Sequence, residues 1–164
     1  MSISHSLLSE LKHEAESTKN LLAVVPLEKG DWKPHEKSMS LSTLTIHVAE
    51  LFAWIADVVQ ETELDFANYQ HPPKINTTEE LLNYFNNAVQ KSENALQNID
   101  DAHFFENWTL RKGDQVFFAL PRVAAIRSFV LNHIYHHRGQ LTVYLRLLDV
   151  KLPGIYGPSA DSVM

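Results

Sequence analysis

The sequence contains no cysteine among its 164 residues. This absence excludes disulfide frameworks, thiolate metal sites, iron–sulfur clusters and a cysteine nucleophile. A metal site in this chain would therefore need histidine, aspartate or glutamate ligands. The lack of disulfides is also compatible with the reducing cytoplasm, where we expect the protein to be located.

The sequence also lacks a secretion signal and a long uninterrupted apolar run. The N-terminal segment MSISHSLLSELKHEAE has no basic stretch followed by an apolar core, and it has the pattern of an amphipathic helix instead. No segment approaches the roughly 18 consecutive apolar residues that a membrane span needs. We therefore expect a soluble protein with no membrane partner.

Positive charge is scarce, with 14 Lys and Arg residues against 20 Asp and Glu residues and a net charge of −6. A phosphate backbone would be repelled, and no cluster of basic residues reverses this locally, so we expect no nucleic-acid partner. The length and the 45% hydrophobic content predict one domain over residues 1–164 that buries a core without disulfides.

Helical periodicity dominates the chain. Four segments repeat their apolar residues with a period near 3.6, at residues 4–24, 41–60, 77–99 and 121–148. Ser40 or Ser42 can cap the second helix, Thr77 and Glu80 form a capping box for the third, and Pro121 suits the first turn of the fourth.

The connections between these helices are polar and contain prolines. Trp32, in the connection at residues 26–40, is expected to fold back onto the end of the helices, and residues 61–76 are long enough to cross them. Residues 107–119 have β-forming residues around a Lys-Gly-Asp turn and can form a short hairpin that leans on the helices. The expected fold class is all-α, a four-helix bundle with long crossover connections and this hairpin before the last helix.

Nine histidines are a high count for this length. His133 and His137 are four residues apart on the apolar face of the fourth helix, where both imidazoles can bind one ion and so offset the cost of their desolvation. His47 lies on or beside the apolar face of the second helix. Each of these observations, taken alone, also fits a core histidine with an ordinary hydrogen bond. His136 is about 100° round the helix from His137 and is expected to face the surface or to support the site.

Three sequence features carry a family resemblance. Residues 133–141 read HIYHHRGQL, His47 precedes them on an earlier helix, and Trp32-Lys33-Pro34 stands before the second helix. In these features, and along nearly its whole length, the chain resembles the DinB/YfiT family. The resemblance implies a four-helix bundle with a long crossover between helices two and three, a homodimer, and a divalent ion such as zinc or nickel. Its metal ligands would be His47, His133 and His137.

The expected site is open, because three imidazoles leave coordination positions free whereas structural zinc usually has four protein ligands. The resemblance implies a metal-dependent transferase that adds a low-molecular-weight thiol, such as bacillithiol or mycothiol, to an electrophilic small-molecule substrate. The resemblance also allows a metal-dependent hydrolase of esters or amides as an alternative, and a non-enzymatic metal-binding or interaction protein of the stress response is a third. All three alternatives use the same histidines, and no catalytic residue is predicted for any of them.

Three residues are candidates for supporting the site. Glu50 follows His47 by three residues and Gln140 follows His137 by three, so either can orient an imidazole, although we expect a solvated surface position for Glu50. Arg138 can bind a substrate carboxylate or form an ion pair between helices, and we expect the ion pair. Four aromatic residues are interpreted as packing residues without a role in the site: Trp54, Trp108, Phe117 and Phe118.

Overall fold

The computed structural model describes residues 2–162 and is mostly helical. Its helices are α1 (Ile3–Leu22), α2 (Leu41–Gln60), α3 (Thr78–Leu96) and α4 (residues 122–147). α2 includes a 3₁₀ turn at Leu51–Ala53, and α4 includes a π-helical segment at Ile126–Leu131. The four predicted helices are all present in this part of the chain.

The capping residues of α3 explain where that helix begins. The Thr77 side chain accepts a hydrogen bond from the Glu80 N–H, and the Glu80 carboxylate accepts one from the Thr77 N–H, which confirms the predicted capping box. The helix ends at Leu96, short of the predicted end at residue 99. Gln97 leaves the helical region with a ψ of 132°, and Asn98 has a φ of 58° in the left-handed region, so neither residue continues the helix.

The helices pack around one apolar core, in which α1 contacts α3 and α2 contacts both α3 and α4. Each helix contributes fully buried side chains, for example Leu11, Phe52, Phe85 and Leu141. Burying each such side chain stabilises the fold by about 1.5–3 kcal/mol, before the entropy of ordering the chain is subtracted. This packing is consistent with the expected four-helix bundle.

α2 is the central helix of this core. By length and composition alone it could cross a membrane, but 67% of its apolar stretch is buried inside the protein, as in the core helix of a globular fold. Leu44, Val48 and Ile55 lie in the core. Because α2 packs directly against α4, side chains on its α4-facing side can meet those of residues 132–147.

A small sheet makes the all-α expectation wrong. The predicted hairpin is present as β2 (Asn107–Lys112) and β3 (Gln115–Pro121), with Gly113 in the left-handed region at the turn. An additional strand, β1 (Glu63–Asp65), pairs in parallel with β2 and completes the order β1-β2-β3. β1 has only three residues and no alternating pattern, so the sequence alone does not reveal it.

β1 anchors the crossover between α2 and α3. The Arg111 side chain pairs with the carboxylates of Glu63 and Asp65. The Asp65 carboxylate also accepts hydrogen bonds from the N–H groups of Ala67 and Gly113. These contacts fix the start of the crossover on the sheet, so that residues 66–72 return over the side of α2.

Trp32 packs onto the helices as predicted. Its ring meets the edge of Tyr144 on α4 with a centroid separation of 5.6 Å. The backbone carbonyl of Trp32 accepts a hydrogen bond from the N–H of Leu41, the first residue of α2. Trp32 therefore joins the connection before α2 to the start of α2 and to Tyr144 of α4.

Candidate metal centre

The structure brings the three predicted histidines together between α2 and α4. One ring nitrogen from each of His47, His133 and His137 lies within 4.8 Å of the others. The Nε2 atoms of His47 and His133 are 3.3 Å apart, and the ring centroids of His133 and His137 are 4.6 Å apart. Three histidines this close together could hold a metal ion.

The spacing of the nitrogens suits a divalent ion. Two imidazole nitrogens at about 2.0–2.1 Å from one zinc, with a tetrahedral angle between them, would be about 3.3–3.4 Å apart. The Nε2 atoms of His47 and His133 have this separation. Imidazole donors without sulfur suit zinc, nickel and similar borderline ions.

Each imidazole is held by a hydrogen-bond partner on its outer side. His137 Nδ1 lies 2.7 Å from Gln140 Oε1, and His47 Nδ1 lies 3.4 Å from Glu50 Oε2. The ring of His133 bonds with the backbone of Phe129. Because a ring N–H donates to each partner, the remaining ring nitrogen keeps its lone pair for the common centre.

Glu50 does not occupy the solvated surface position that we expected. It is only 7% exposed, because Tyr69 of the crossover covers it. The Tyr69 hydroxyl donates to Glu50 Oε1 and accepts from Trp54 Nε1 at 3.2 Å. Glu50 therefore contacts His47 with one oxygen and the crossover with the other.

Burial and mutual repulsion favour the neutral form of His133 and His137. Burial first, then the neighbouring rings of His137, His47 and His136, lower the pKa of His133 to about 4. Burial also lowers the pKa of His137, against the opposing effect of the hydrogen bond with Gln140. Neutral imidazole is the form that binds metal, so little proton displacement is needed at pH 7.

Arg138 points away from this cluster, and His136 lies at its exposed edge. Arg138 is 2% exposed and pairs with the Glu14 carboxylate on α1, which is the expected ion pair between helices, and it also donates to Thr18. This direction does not suit the alternative role of binding a substrate carboxylate. His136 is exposed, although its ring remains 4.8 Å from that of His137 between centroids.

A cavity of about 500 Å³ opens beside the histidines, and His47 and His133 form part of its wall. His137 is 7% exposed and lies behind them. Six further lining residues are apolar or aromatic: Met39, Ile46, Trp54, Phe66, Tyr69 and Pro72. A volume of this size is typical of a small-molecule site.

Trp54, interpreted from sequence as plain core, is a wall of this cavity. Its ring centroid lies 5.8 Å from that of His47 and 5.7 Å from that of His133. Trp54 follows His47 by seven residues, which is two helical turns. This spacing places both side chains on one face of α2, so the sequence could have indicated that Trp54 lies beside the histidine. Tyr69 and Phe66 gave no comparable signal because they lie in the irregular crossover.

The sequence profile of the DinB family matches residues 1–163 of this chain. The chain belongs to the DinB family. The family resemblance inferred from the sequence is therefore confirmed. The matched residues include the four helices and the hairpin.

The chain is also similar to three known proteins. The Bacillus subtilis protein YrdA is 23% identical over 154 residues, covering 94% of this chain and 88% of that protein. The crystal structure of a DinB-like protein (YjoA) from Bacillus subtilis superposes with a TM-score of 0.72 at 20% identity, covering 94% of this chain and 99% of that one. A DinB-like protein from Bacillus cereus gives 0.67 at 21% identity, covering 91% and 95%. At these identities the two structures show the shared fold alone.

Proposed function

We propose that this DinB-family protein is a metal-dependent enzyme whose zinc or nickel ion is held by His47, His133 and His137. The observation that carries the proposal is the convergence of the three imidazoles beside an open cavity of about 500 Å³, in whose wall His47 and His133 lie. Three protein ligands leave room for a substrate atom, as in catalytic rather than structural zinc sites.

A bound divalent ion would supply Lewis acidity and lower the pKa of a thiol or water that binds beside the histidines. The chain's own residues prepare this site in two ways. Glu50 and Gln140 hold the rings of His47 and His137 in place. The apolar wall formed by Ile46 and its neighbours offers a surface on which a substrate can pack beside the histidines.

The reaction that we favour is transfer of a low-molecular-weight thiol, such as bacillithiol, to an electrophilic small molecule. A sulfur–carbon bond forms, the thiol proton passes to solvent, and the leaving group departs with its bonding electrons. Among the described lining residues Glu50 is the one carboxylate, and both of its oxygens are engaged. A thiol, with a pKa near 8.5, needs far less help to ionise than water, with a pKa near 15.7, and this difference favours thiol transfer over hydrolysis.

The proposal extends to the protein's surroundings. We propose a soluble, cytoplasmic protein, as the lack of cysteine and of a long apolar run favours, and a homodimer, as the family resemblance implies. The burial of α2 inside the fold supports solubility, and the net charge of −6 argues against a nucleic-acid partner.

A bimane assay on the metal-loaded, untagged protein tests the function. Consumption of monochlorobimane should require the protein, the metal and added bacillithiol together, and His47→Ala should reduce the rate to the uncatalysed background. His13→Ala, which removes an exposed histidine of α1, is the matched control and should keep full activity. Thiol-independent cleavage of a nitrophenyl ester would contradict thiol transfer and indicate a hydrolase. Inactivity of the loaded protein in both assays would contradict the enzyme proposal and favour a metal-binding role.

A further inference from the structure

The cavity beside the histidines has no fixed positive charge on its wall. Of its twelve lining residues in the described part of the chain, none is Lys or Arg. His71 lies in an exposed position on the crossover. Away from the three histidines, an anionic group placed against the apolar wall would therefore lose its hydration without gaining a cationic partner.

Three polar groups on the same wall, those of Trp54, Tyr69 and Glu50, are already bonded to one another. The Trp54 N–H donates to the Tyr69 oxygen, and the Tyr69 hydroxyl donates to Glu50. The other Glu50 oxygen contacts His47. These donors are thus occupied before any ligand arrives, and a ligand that used them would have to break this chain of hydrogen bonds.

The N-terminus of α2 also forms part of the cavity wall, and such helix ends often bind anions. Here the first three amides, at residues 41–43, donate to two carbonyls of the preceding connection and to the Ser40 hydroxyl. The Ser40 contact is the predicted helix cap. No amide in this first turn is left to receive an anion.

The aromatic part of the wall is rigid. Trp54 is 4% exposed and stacks on Phe129 with 5.0 Å between ring centroids and 17° between planes. Tyr69 and Phe66 meet edge to face at 5.6 Å. A preformed aromatic surface of this kind favours flat apolar ligands, because little side-chain freedom is lost on binding.

We infer that this cavity takes an uncharged, apolar or aromatic molecule, bound by its shape and apolar surface. In the proposed thiol transfer this molecule is the electrophile, and only that assignment rests on the proposed function. The preference for an uncharged ligand rests on the cavity wall, so it can be tested without thiol and without turnover.

Two fluorescent probes that share one skeleton provide the test. N-phenyl-1-naphthylamine is neutral, whereas 8-anilino-1-naphthalenesulfonate adds a single sulfonate. Titrated into the metal-free full chain, so that no ion beside the histidines can pair with the sulfonate, the neutral probe should bind at least about tenfold more tightly, since burial of the unpaired sulfonate is costly.

Charge variants locate the binding to this cavity. Ile46→Lys places a cation on the partly buried wall. It should weaken binding of the neutral probe, strengthen binding of the sulfonate probe and so reverse the preference between them. Thr43→Lys adds the charge at an exposed lining position, where folding is less affected, and should shift the preference in the same direction. Val143→Lys, at a 58% exposed position of α4, is the control and should change neither affinity.

Equal affinities, tighter binding of the sulfonate to the unmodified chain, or no binding of either probe would overturn the inference. An unchanged preference in both Ile46→Lys and Thr43→Lys would overturn it as well, because the probes would then bind elsewhere. Absence of thiol transfer together with a preserved preference for the neutral probe would count against the proposed function alone.

Discussion

Glu50 is the residue at which the histidines, α2 and the crossover meet. Its carboxylate contacts the outer nitrogen of His47 and accepts the Tyr69 hydroxyl. A carboxylate behind an imidazole fixes the orientation of the ring and increases its basicity toward a metal. The burial of Glu50 and the raised pKa of the Tyr69 hydroxyl beside it both reflect this closed arrangement.

Glu50→Gln should weaken zinc binding by about 10–100-fold, because the amide keeps the size of the side chain but removes the negative charge behind His47. Competition with a chromophoric zinc chelator measures the dissociation constant. Glu16→Gln, at an exposed position of α1, is the matched control and should leave zinc affinity unchanged. Equal zinc affinity of Glu50→Gln and the unmodified chain would show that Glu50 does not support His47.

The sequence predicted those parts of the site that depend on spacing within one helix. His133, His137 and Gln140 share a helix face, so their proximity follows from helical geometry. The approach of His47 depends on how α2 packs against α4, and it was expected from the family resemblance. Tyr69 reaches Glu50 through an irregular crossover, where no periodic pattern indicates which side chain returns to the core.

At the scale of elements, α4 is attached to α1 by a buried ion pair. Arg138 and Glu14 have side chains that are 2% and 6% exposed. Arg138 also bonds with Tyr156 of the C-terminal segment, whose hydroxyl donates to Glu14. Removing one partner of such a pair leaves a buried charge without compensation, which is more costly than losing the pair as a whole.

Arg138→Met should therefore lower the free energy of unfolding by about 3–5 kcal/mol, as measured by urea denaturation. Adding Glu14→Leu should recover most of this loss, because no buried charge then remains. The pair Arg127–Glu10 joins the same two helices but has side chains that are 51% and 25% exposed, and Arg127→Met should cost at most about 1 kcal/mol. Equal effects of Arg138→Met and Arg127→Met would contradict this account of the buried pair.

The helices could be predicted because each carries an apolar stripe and usable capping residues. Two elements could not be predicted. β1 is stabilised by pairing with β2, a contact between residues far apart in sequence. The π-helical segment Ile126–Leu131 precedes His133 and keeps the apolar composition of a normal helix, so its wider turn leaves no mark in the periodicity.

At the scale of the whole molecule, the apolar core and the histidine cluster use different side chains of the same helices. The core includes large buried side chains from every helix and from the hairpin, such as Trp108. The histidine cluster lies beside this core between α2 and α4. A chain with a core of this extent should remain folded without metal, unlike small domains whose folding depends on a bound ion.

Metal binding by the untagged protein tests the central claim most directly. The account predicts about one zinc or nickel ion per chain by elemental analysis, as three converging imidazoles can hold one ion. His137→Ala should lose most of this metal while its helical circular dichroism stays close to that of the unmodified chain, and His13→Ala should keep both. An unmodified protein that binds neither zinc nor nickel, or a His137→Ala variant that retains the ion, would contradict the claim.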